Sequence, residues 1–353
     1  MYDYIIVGQG IAGTMLAHFL DEKNKRFLIV DKKHEHAASL IAAGVINPIT
    51  GRNFVKSWRI DEFIPFANNI YRILENKFDI SILESRNIAM IFNSVNTENN
   101  WMVRSSNPEL KKYISNDFQV DFYTKFMKNV KNGVEFKNGG RVKIKEIVLS
   151  YKKELKDKQK YLEEAFDYSE LNIQQNNIAY KGIYSKRIIF AEGFQAIHNP
   201  FFNYLPFMPA KGDMLLVRIN NHPGEKKIIK HGVFIINLED DIYWIGSTYN
   251  REYKTLKPNS DNKLDLIKRL KRVIKSPFTV IKHLTAIRPT VRDRRPFIGK
   301  HPIFSNLYIF NGMGAKGATL APYFAHQFIQ HLEHNKIIDK EVDIKRYISY
   351  FNV

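Results

Sequence analysis

The segment that most constrains the fold of this chain lies at residues 4–13, YIIVGQGIAG. A short apolar run leads directly into three glycines with the spacing G-x-G-x-x-G, and an apolar helical pattern follows over residues 11–20. A second apolar run occupies residues 27–30. This order of strand, glycine turn, helix and strand predicts a βαβ unit with parallel strands. We therefore expect an α/β fold built around a parallel sheet.

Each of the three glycines in this turn is required for a physical reason. Gly8 permits the tight turn, Gly10 lets the backbone approach a pyrophosphate at the helix N-terminus, and Gly13 allows close packing of helix on strand. Asp31 ends the second apolar run, near the spacing at which a carboxylate meets an adenosine ribose hydroxyl. An acid there favours a free 2′-hydroxyl, so the pattern predicts FAD or NAD rather than NADP. The candidate cofactor-binding residues at this end are Gly8, Gln9, Gly10, Ile11, Ala12, Gly13, Asp31 and Lys32.

The composition excludes several kinds of site. The chain has no cysteine, which rules out a disulfide, a thiolate metal site, a catalytic cysteine and a cysteine-linked flavin. Its formal charge of +18 can steer anionic substrates or nucleic acid, although the even use of lysine favours charges spread over solvated faces. We find no apolar stretch of membrane-spanning length and no cleavable leader, so we expect a cytoplasmic protein without membrane association.

Beyond residue 31 the periodicity predicts helices over residues 60–75, 144–165, 264–274 and 320–332, and strands over residues 187–190 and 307–310. The lysines of the helix at 144–165 are expected on a solvated face. Residues 212–250 alternate as antiparallel strands do, whereas the asparagine, serine and proline of residues 93–109 predict an exposed loop. We expect a nucleotide-binding part at both ends of the chain, with a more antiparallel part between them.

A second pattern occupies residues 283–322, HLTAIRPTVRDRRPFIGKHPIFSNLYIFNGMGAKGATLAP. It contains R-P, then D-x-x-P-x-I-G, a strand, and a G-x-x-x-x-G-x-x-L-A-P turn. These motifs resemble the C-terminal signature of the D-amino-acid oxidase-like flavoprotein family. Within this family the chain resembles the glycine oxidases and the flavin domain of a bifunctional enzyme that modifies the wobble uridine of tRNA. Further landmarks of the family are Ser39, Ala43, Gly44, Asn47-Pro48, Ala191-Glu192-Gly193, Lys211-Gly212 and Gly246-Ser247-Thr248.

The resemblance implies a Rossmann-like FAD-binding domain with an inserted α+β, antiparallel-sheet substrate domain. It assigns residues 1–80, 136–206 and 286–353 to the first domain and residues 81–135 and 207–285 to the second. It also implies noncovalent FAD, with backbone amides of residues 312–319 close to the flavin ring. The additional cofactor-binding residues that it implies are Ser39, Ala43, Gly44, Leu171, Ala191, Glu192, Gly193, Arg288, Gly312, Met313, Gly314, Ala315, Lys316, Gly317, Ala318 and Thr319.

The same resemblance implies oxidation of a C–N bond by hydride transfer from a small amino acid or secondary amine to the flavin. Arg288 is the expected anchor of the substrate carboxylate, because a guanidinium pairs with a carboxylate bidentately. Phe234 and Tyr249 match positions that flank the substrate in relatives. The chain departs from the family at Ala286, where a glycine is common, and at Glu192, where a small residue or threonine is common.

Two alternatives remain open at this point. The substrate can be a carboxymethylaminomethyl uridine in tRNA, which the positive charge would help to bind through its phosphates. The absence of a methyltransferase half from the sequence makes us favour a free amine. The protein can instead bind flavin without catalysing a reaction. Neither the electron acceptor nor the oligomeric state follows from the sequence.

Overall fold

The computed structural model describes residues 1–32, 36–51, 53–220 and 226–351. Its α-helices are α1 (Ile11–Glu22), α2 (Ala38–Ile41), α3 (Ile60–Phe78), α4 (Val95–Ser105), α5 (Pro108–Lys111), α6 (Val120–Thr124), α7 (Ile144–Asp157), α8 (Ser260–Val273) and α9 (Gly317–His334). Its strands are β1 (Tyr2–Val7), β2 (Phe27–Val30), β3 (Val45–Ile46), β4 (Ile49–Thr50), β5 (Val55–Lys56), β6 (Leu83–Ser85), β7 (Ile88–Ile91), β8 (Ile114–Ser115), β9 (Gly133–Phe136), β10 (Gly140–Val142), β11 (Tyr161–Leu162), β12 (Leu171–Ile173), β13 (Ile178–Tyr180), β14 (Ile183–Phe190), β15 (Ala210–Ile219), β16 (Ile228–Lys230), β17 (Phe234–Glu239), β18 (Ile242–Gly246), β19 (Phe278–Arg288), β20 (Phe297–Lys300) and β21 (Leu307–Asn311). Short 3₁₀ helices occupy Tyr168–Glu170, Gly193–His198 and Ile344–Tyr350.

The first sheet has the strand order β11-β2-β1-β14-β13-β12, and β21 joins it beside β14. Its central strands β2, β1, β14 and β21 are parallel and in register, so that Val7 lies beside both Val30 and Phe190. Tyr4 and Ile6 face the core formed with α1 and α9, whereas Ile5 and Val7 face a second core. Burial on both faces explains why these strands are continuously apolar.

The second sheet has the order β19-β15-β18-β17-β16-β7-β9-β8 and is antiparallel except where β16 pairs with β7. The alternation along β15 divides its side chains between two cores. Met214 belongs to the core shared with the first sheet, whereas Leu215 and Val217 pack with Leu266 and Leu270 of α8. The strands of the first sheet come from the residues predicted as the FAD-binding domain. Those of the second sheet come from the residues predicted as the substrate domain, except at the ends of β9 and β19. We propose the same division of the chain into two domains.

The inserted antiparallel part and the strand–turn–helix beginning are confirmed, but two local predictions were wrong. Residues 93–109 contain α4 and α5 instead of an exposed loop, because Ser94 and Asn107 act as N-caps and Pro108 occupies the first turn. The predicted helix at 144–165 ends at Asp157, and Tyr161 and Leu162 pair with β2. No helix within the described residues is both long and apolar enough to cross a membrane.

Candidate cofactor and substrate site

A cavity of about 480 Å³ begins where the parallel strands of the first sheet end and extends to the second sheet. Its wall includes Gly8 after β1, Asp31 after β2 and Ala191 after β14. At the other end it includes Trp244 of β18 and Arg288 of β19. Ligands bind at the carboxyl ends of parallel strands in this type of sheet, so the cavity is the candidate functional site.

The first glycine turn has no room for side chains. Gly8 has a φ of 100°, and a Cβ on it would lie 2.6 Å from the carbonyl oxygen of Ala191. A Cβ on Gly13 would lie 2.0 Å from the carbonyl oxygen of Gly8, so this glycine brings α1 against β1. Gly10 is the N-cap of α1 and has no side chain to cap the helix, which leaves the helix N-terminus facing the cavity.

The Asp31 carboxylate is held from two sides. The backbone N–H of Gln9 donates to Oδ1 at 2.9 Å, and the Tyr161 hydroxyl donates to Oδ2 at 2.8 Å. Close by, Ser39 Oγ accepts a hydrogen bond from the backbone N–H of Ile11 at 2.9 Å. The acid after β2 therefore lies on the cavity wall in a defined orientation, and α2, which carries Ser39, is bound to the start of α1.

Glu192 in the turn after β14 lies on the cavity wall, but its carboxylate is bound to the surrounding protein. It accepts hydrogen bonds from the Tyr168 hydroxyl and from Asn199 Nδ2, the latter at 2.8 Å. Burial raises the pKa of the Glu192 carboxyl to about 7, although both hydrogen bonds act in the opposite direction. These two partners explain how the chain accommodates an acid where relatives have a smaller residue.

The second glycine turn, after β21, meets the first. A Cβ on Gly317 would lie 3.1 Å from Ile11 Cγ2, so segments 306 residues apart in sequence are in direct proximity. Asn311 Nδ2 donates to the carbonyl oxygen of Gly193 at 3.0 Å, which also links this turn to the one after β14. Met313, Gly314 and neighbouring residues contribute to the cavity wall.

Arg288 ends β19 and lies against the backbone of the neighbouring strand. Its Nη2 donates to Ser247 Oγ at 2.5 Å and to the carbonyl oxygen of Thr248 at 3.2 Å. A Cβ on Gly212 would lie 2.3 Å from this same Nη2, so only glycine leaves room for the guanidinium. The other terminal nitrogen, Nη1, is buried and has no hydrogen-bond partner in the described part of the chain. Burial lowers the pKa of Arg288 from its ordinary value, which makes an anionic partner more favourable.

Most of the predicted site residues contribute to the wall of this one cavity. They are Gly8, Gln9, Gly10, Ile11, Ala12, Asp31, Lys32, Ser39, Ala43, Gly44, Ala191, Glu192, Gly193, Phe234, Arg288, Met313, Gly314, Ala315, Gly317 and Ala318. The cavity also includes Ala286, the second departure from the family pattern.

Six predicted residues lie outside the cavity wall. Gly13 is behind the first turn, Gly312 packs against Val291 and Phe297, and Thr319 donates to the carbonyl oxygen of Lys316 within the second turn. Leu171 lies in β12 against the second core of the first sheet. Tyr249 is 52% exposed, and the Arg288 guanidinium lies 5.6 Å from the centre of its ring. Lys316 and Tyr249 therefore flank the site rather than form its wall.

The sequence analysis missed a stripe of α7 that reaches the cavity. Ile144, Val148, Lys152 and Lys156 recur every four residues and all contribute to its wall. The two lysines had been expected on a solvated face, and Lys156 is exposed, but Lys152 is partly buried. Both lie over the ring of Tyr161, with their Nζ atoms at 4.5 and 5.5 Å from its centre. The spacing i, i+4 was visible in the sequence, but the surface that this face meets was not. The other residues missed include Met214, Trp244, Phe194 and Gln195.

These residues fit FAD. The turn around Gly8 and Gly10 offers backbone space and a helix N-terminus for a pyrophosphate, and Asp31 can accept hydrogen bonds from a ribose. The second turn brings backbone with positive φ at Gly314 to the same cavity, and such backbone can approach a planar ring closely. Arg288 ends a strand of the second sheet, whereas Asp31 follows a strand of the first, so the cavity wall carries a cation and the ribose-type acid on different sheets.

Two solved structures and one curated sequence relative resemble this chain. The chain is similar to glycine oxidase from Bacillus cereus ATCC 14579, with a TM-score of 0.79, 18% identity and 96% of each chain covered. Iminodiacetate oxidase from Chelativorans sp. BNC1 gives a TM-score of 0.74 with 17% identity over 98% of each chain. At these identities the likeness concerns the fold.

A curated relative from Idiomarina loihiensis, the tRNA 5-methylaminomethyl-2-thiouridine biosynthesis bifunctional protein MnmC, is 27% identical over 128 residues. This match spans 35% of the present chain and 21% of the relative. The family model for FAD-dependent oxidoreductases matches residues 3–330. The predictions of a Rossmann-like flavoenzyme fold, of FAD as the cofactor and of an oxidoreductase are thereby confirmed: the chain belongs to the FAD-dependent oxidoreductase (DAO) family.

Proposed function

We propose that this enzyme oxidises the C–N bond of a small amino acid or secondary amine that carries a carboxylate. The observation that carries the proposal is the cationic side chain of Arg288, which belongs to the cavity wall and whose Nη1 has no hydrogen-bond partner among the described residues. A buried donor of this kind is costly unless a ligand satisfies it, and a charged hydrogen bond contributes about 1.5–3 kcal/mol. A carboxylate matches both its charge and its geometry.

The walls near Arg288 are suited to a neutral amine. Met214, Phe234 and Trp244 present apolar surface on the second sheet. The acidic residues on the described cavity wall are Asp31, Glu163 and Glu192, all of which follow strands of the first sheet. We find no described carboxylate beside Arg288 that could bind an ammonium group. The site therefore favours a substrate whose amine arrives without its extra proton.

When bound, FAD would supply the hydride acceptor for oxidation of the carbon next to the amine, and the resulting imine would need only water for its hydrolysis. The role of the protein is placement. Arg288 holds the carboxylate end, and Ser247 and Thr248 orient the guanidinium through its other terminal nitrogen. The apolar walls limit the access of water to the reacting carbon. This arrangement needs no general base.

Anaerobic bleaching of the flavin tests the proposal. We expect glycine, sarcosine or a D-amino acid to bleach the enzyme, whereas methylamine, which has no carboxylate, fails at the same concentration. Arg288→Gln should weaken the response to the carboxylate substrate by about tenfold or more while the flavin content stays unchanged. Bleaching by methylamine and by the amino acids with equal efficiency would refute the carboxylate anchor.

A carboxymethylaminomethyl uridine in tRNA is the second candidate substrate, because it also presents a carboxylate next to a secondary amine. It is supported by the curated relative and by one positively charged surface. Seven exposed cations surround the end of α8, where Lys128 donates to the carbonyl oxygen of Lys271. Within the described residues none of the seven forms an ion pair with an acid. They are Lys125, Lys128, Lys131, Lys268, Lys271, Arg272 and Lys275.

A binding measurement separates the two candidates. If tRNA is the substrate, hypomodified tRNA should bleach the flavin although free amino acids do not, and its affinity should fall steeply with salt. A quadruple variant should reduce tRNA binding; it changes Lys268, Lys271, Arg272 and Lys275 to Gln. The matched control removes the same charge from the exposed Lys23, Lys336, Lys340 and Lys345. If the two quadruple variants reduce tRNA binding equally, tRNA is attracted only by nonspecific charge, and the second candidate is rejected.

A further inference from the structure

We propose that Tyr161 is a positioning residue for the cofactor: its hydroxyl orients the Asp31 carboxylate so that it receives the adenosine ribose of FAD. The proposal rests on FAD being the cofactor of this family and on Asp31 being the acid that meets the ribose. It does not depend on the identity of the substrate. Tyr161 itself is not part of the cavity wall, and no motif identified it in the sequence.

The contacts of Asp31 define its orientation. Oδ1 accepts from the Gln9 backbone at 2.9 Å, and Oδ2 accepts from the Tyr161 hydroxyl at 2.8 Å. The same hydroxyl lies 3.1 Å from the carbonyl oxygen of Asp31, so it spans the side chain and the backbone of one residue. Each carboxylate oxygen has two lone pairs, and one on each remains for a further donor. Two adjacent ribose hydroxyls provide such a pair of donors.

The position of Tyr161 is itself fixed by the fold. Strand β11 pairs with β2 in parallel, with Tyr161 beside Ile29, and the backbone N–H of Asp31 donates to the carbonyl oxygen of Leu162 at 3.1 Å. The ring lies beneath Lys152 and Lys156 of α7, both of which reach the cavity. Tyr161 is thus clamped by a strand on one side and by two cations on the other.

The protonation state of the phenol supports the same role. Burial and the neighbouring Asp31 charge raise the pKa of Tyr161 well above its ordinary value. The hydroxyl therefore remains a donor throughout the working pH range, and the carboxylate remains the acceptor. The competing explanation is that Tyr161 only closes the edge of the sheet, which predicts a loss of stability without any selectivity for the ribose.

Tyr161→Phe tests the proposal in the full chain, with FAD release from the holoenzyme followed by flavin fluorescence. We expect release to be about tenfold faster than in the parent. After removal of the flavin, the variant should also discriminate less between FAD and an FAD analogue that lacks the adenosine 2′-hydroxyl. FMN, which has no adenosine, should bind both proteins equally.

The matched control is Tyr180→Phe. Tyr180 lies in the same sheet and also donates to a carboxylate, at 2.6 Å to Glu164, but neither residue contributes to the cavity wall. This control should leave FAD release unchanged. In an Asp31→Asn background, Tyr161→Phe should add little, since both changes act on one interaction.

Two outcomes would overturn the proposal. One is an equal loss of FAD and FMN affinity in Tyr161→Phe, because a purely structural defect affects both flavins. The other is unchanged discrimination between FAD and its 2′-deoxyadenosine analogue. The ratio between two ligands measured on the same protein remains informative even if the variant is less stable.

Discussion

Gly212 provides the sharpest test of how the substrate end is organised. In Gly212→Ala the new Cβ would lie 2.3 Å from Nη2, 2.5 Å from Nη1 and 2.7 Å from Cζ of Arg288. Ordinary contacts of a Cβ begin near 3.4 Å, so the guanidinium must move by about 1.1 Å, which is 3.4 minus 2.3. That movement breaks the hydrogen bonds to Ser247 and to the carbonyl oxygen of Thr248.

The expected magnitude follows from the lost interaction. A charged hydrogen bond contributes about 1.5–3 kcal/mol, so carboxylate binding should weaken by about 10- to 150-fold. The assay is a titration with a small carboxylate that cannot be oxidised, such as acetate, followed by the change in flavin absorbance. The kcat/KM for an amino-acid substrate should fall by a similar factor. The flavin content should remain at the parent level, because Gly212 does not contribute to the cavity wall itself.

A suitable control is Gly139→Ala, where the nearest atom to a Cβ is the flexible end of Ile88 at 3.0 Å. This residue is likewise outside the cavity wall, and its substitution should leave carboxylate binding unchanged. If Gly212→Ala binds acetate and turns over the substrate as the parent does, the guanidinium is not held against this strand and the reasoning is wrong.

Three further predictions follow from the same geometry. Gly13→Ala should destabilise the fold by about 1–3 kcal/mol and lower the flavin content, measured as the ratio of flavin to protein, because its Cβ meets the Gly8 carbonyl. Ser247→Ala should weaken acetate binding by about tenfold without loss of FAD, since Arg288 loses a hydrogen-bond partner; equal binding would contradict it. The pKa of Glu192 is raised from 4.5 to about 7, so its contribution to stability is complete below pH 4.5 and is lost as the pH rises through about 7. Denaturant unfolding at several pH values should show this decline in the parent and not in Glu192→Gln.

The local sequence was sufficient to predict the parts of the site that the backbone forms. The glycines at 8, 10 and 13 and the acid at 31 have roles set by neighbours within one βαβ unit, and the structure places Gly8, Gly10 and Asp31 on the cavity wall with Gly13 behind them. At helix α4, by contrast, the local composition misled the prediction. Its asparagine and serine residues favour loops on average, but Ser94 stands at the N-cap, where serine favours a helix.

Sequence alone thus indicated a dinucleotide cofactor and the parallel sheet, because short-range spacing and glycine sterics encode them, whereas FAD and Arg288 as a candidate anchor were implied by the family resemblance. Only the tertiary structure decided that Gly317 meets Ile11, that Gly212 makes room for Arg288 and that Tyr161 reaches Asp31. These contacts join residues far apart in the chain. They depend on which strands become neighbours and on which surface a helix face packs against, and the spacing of residues within one segment specifies neither.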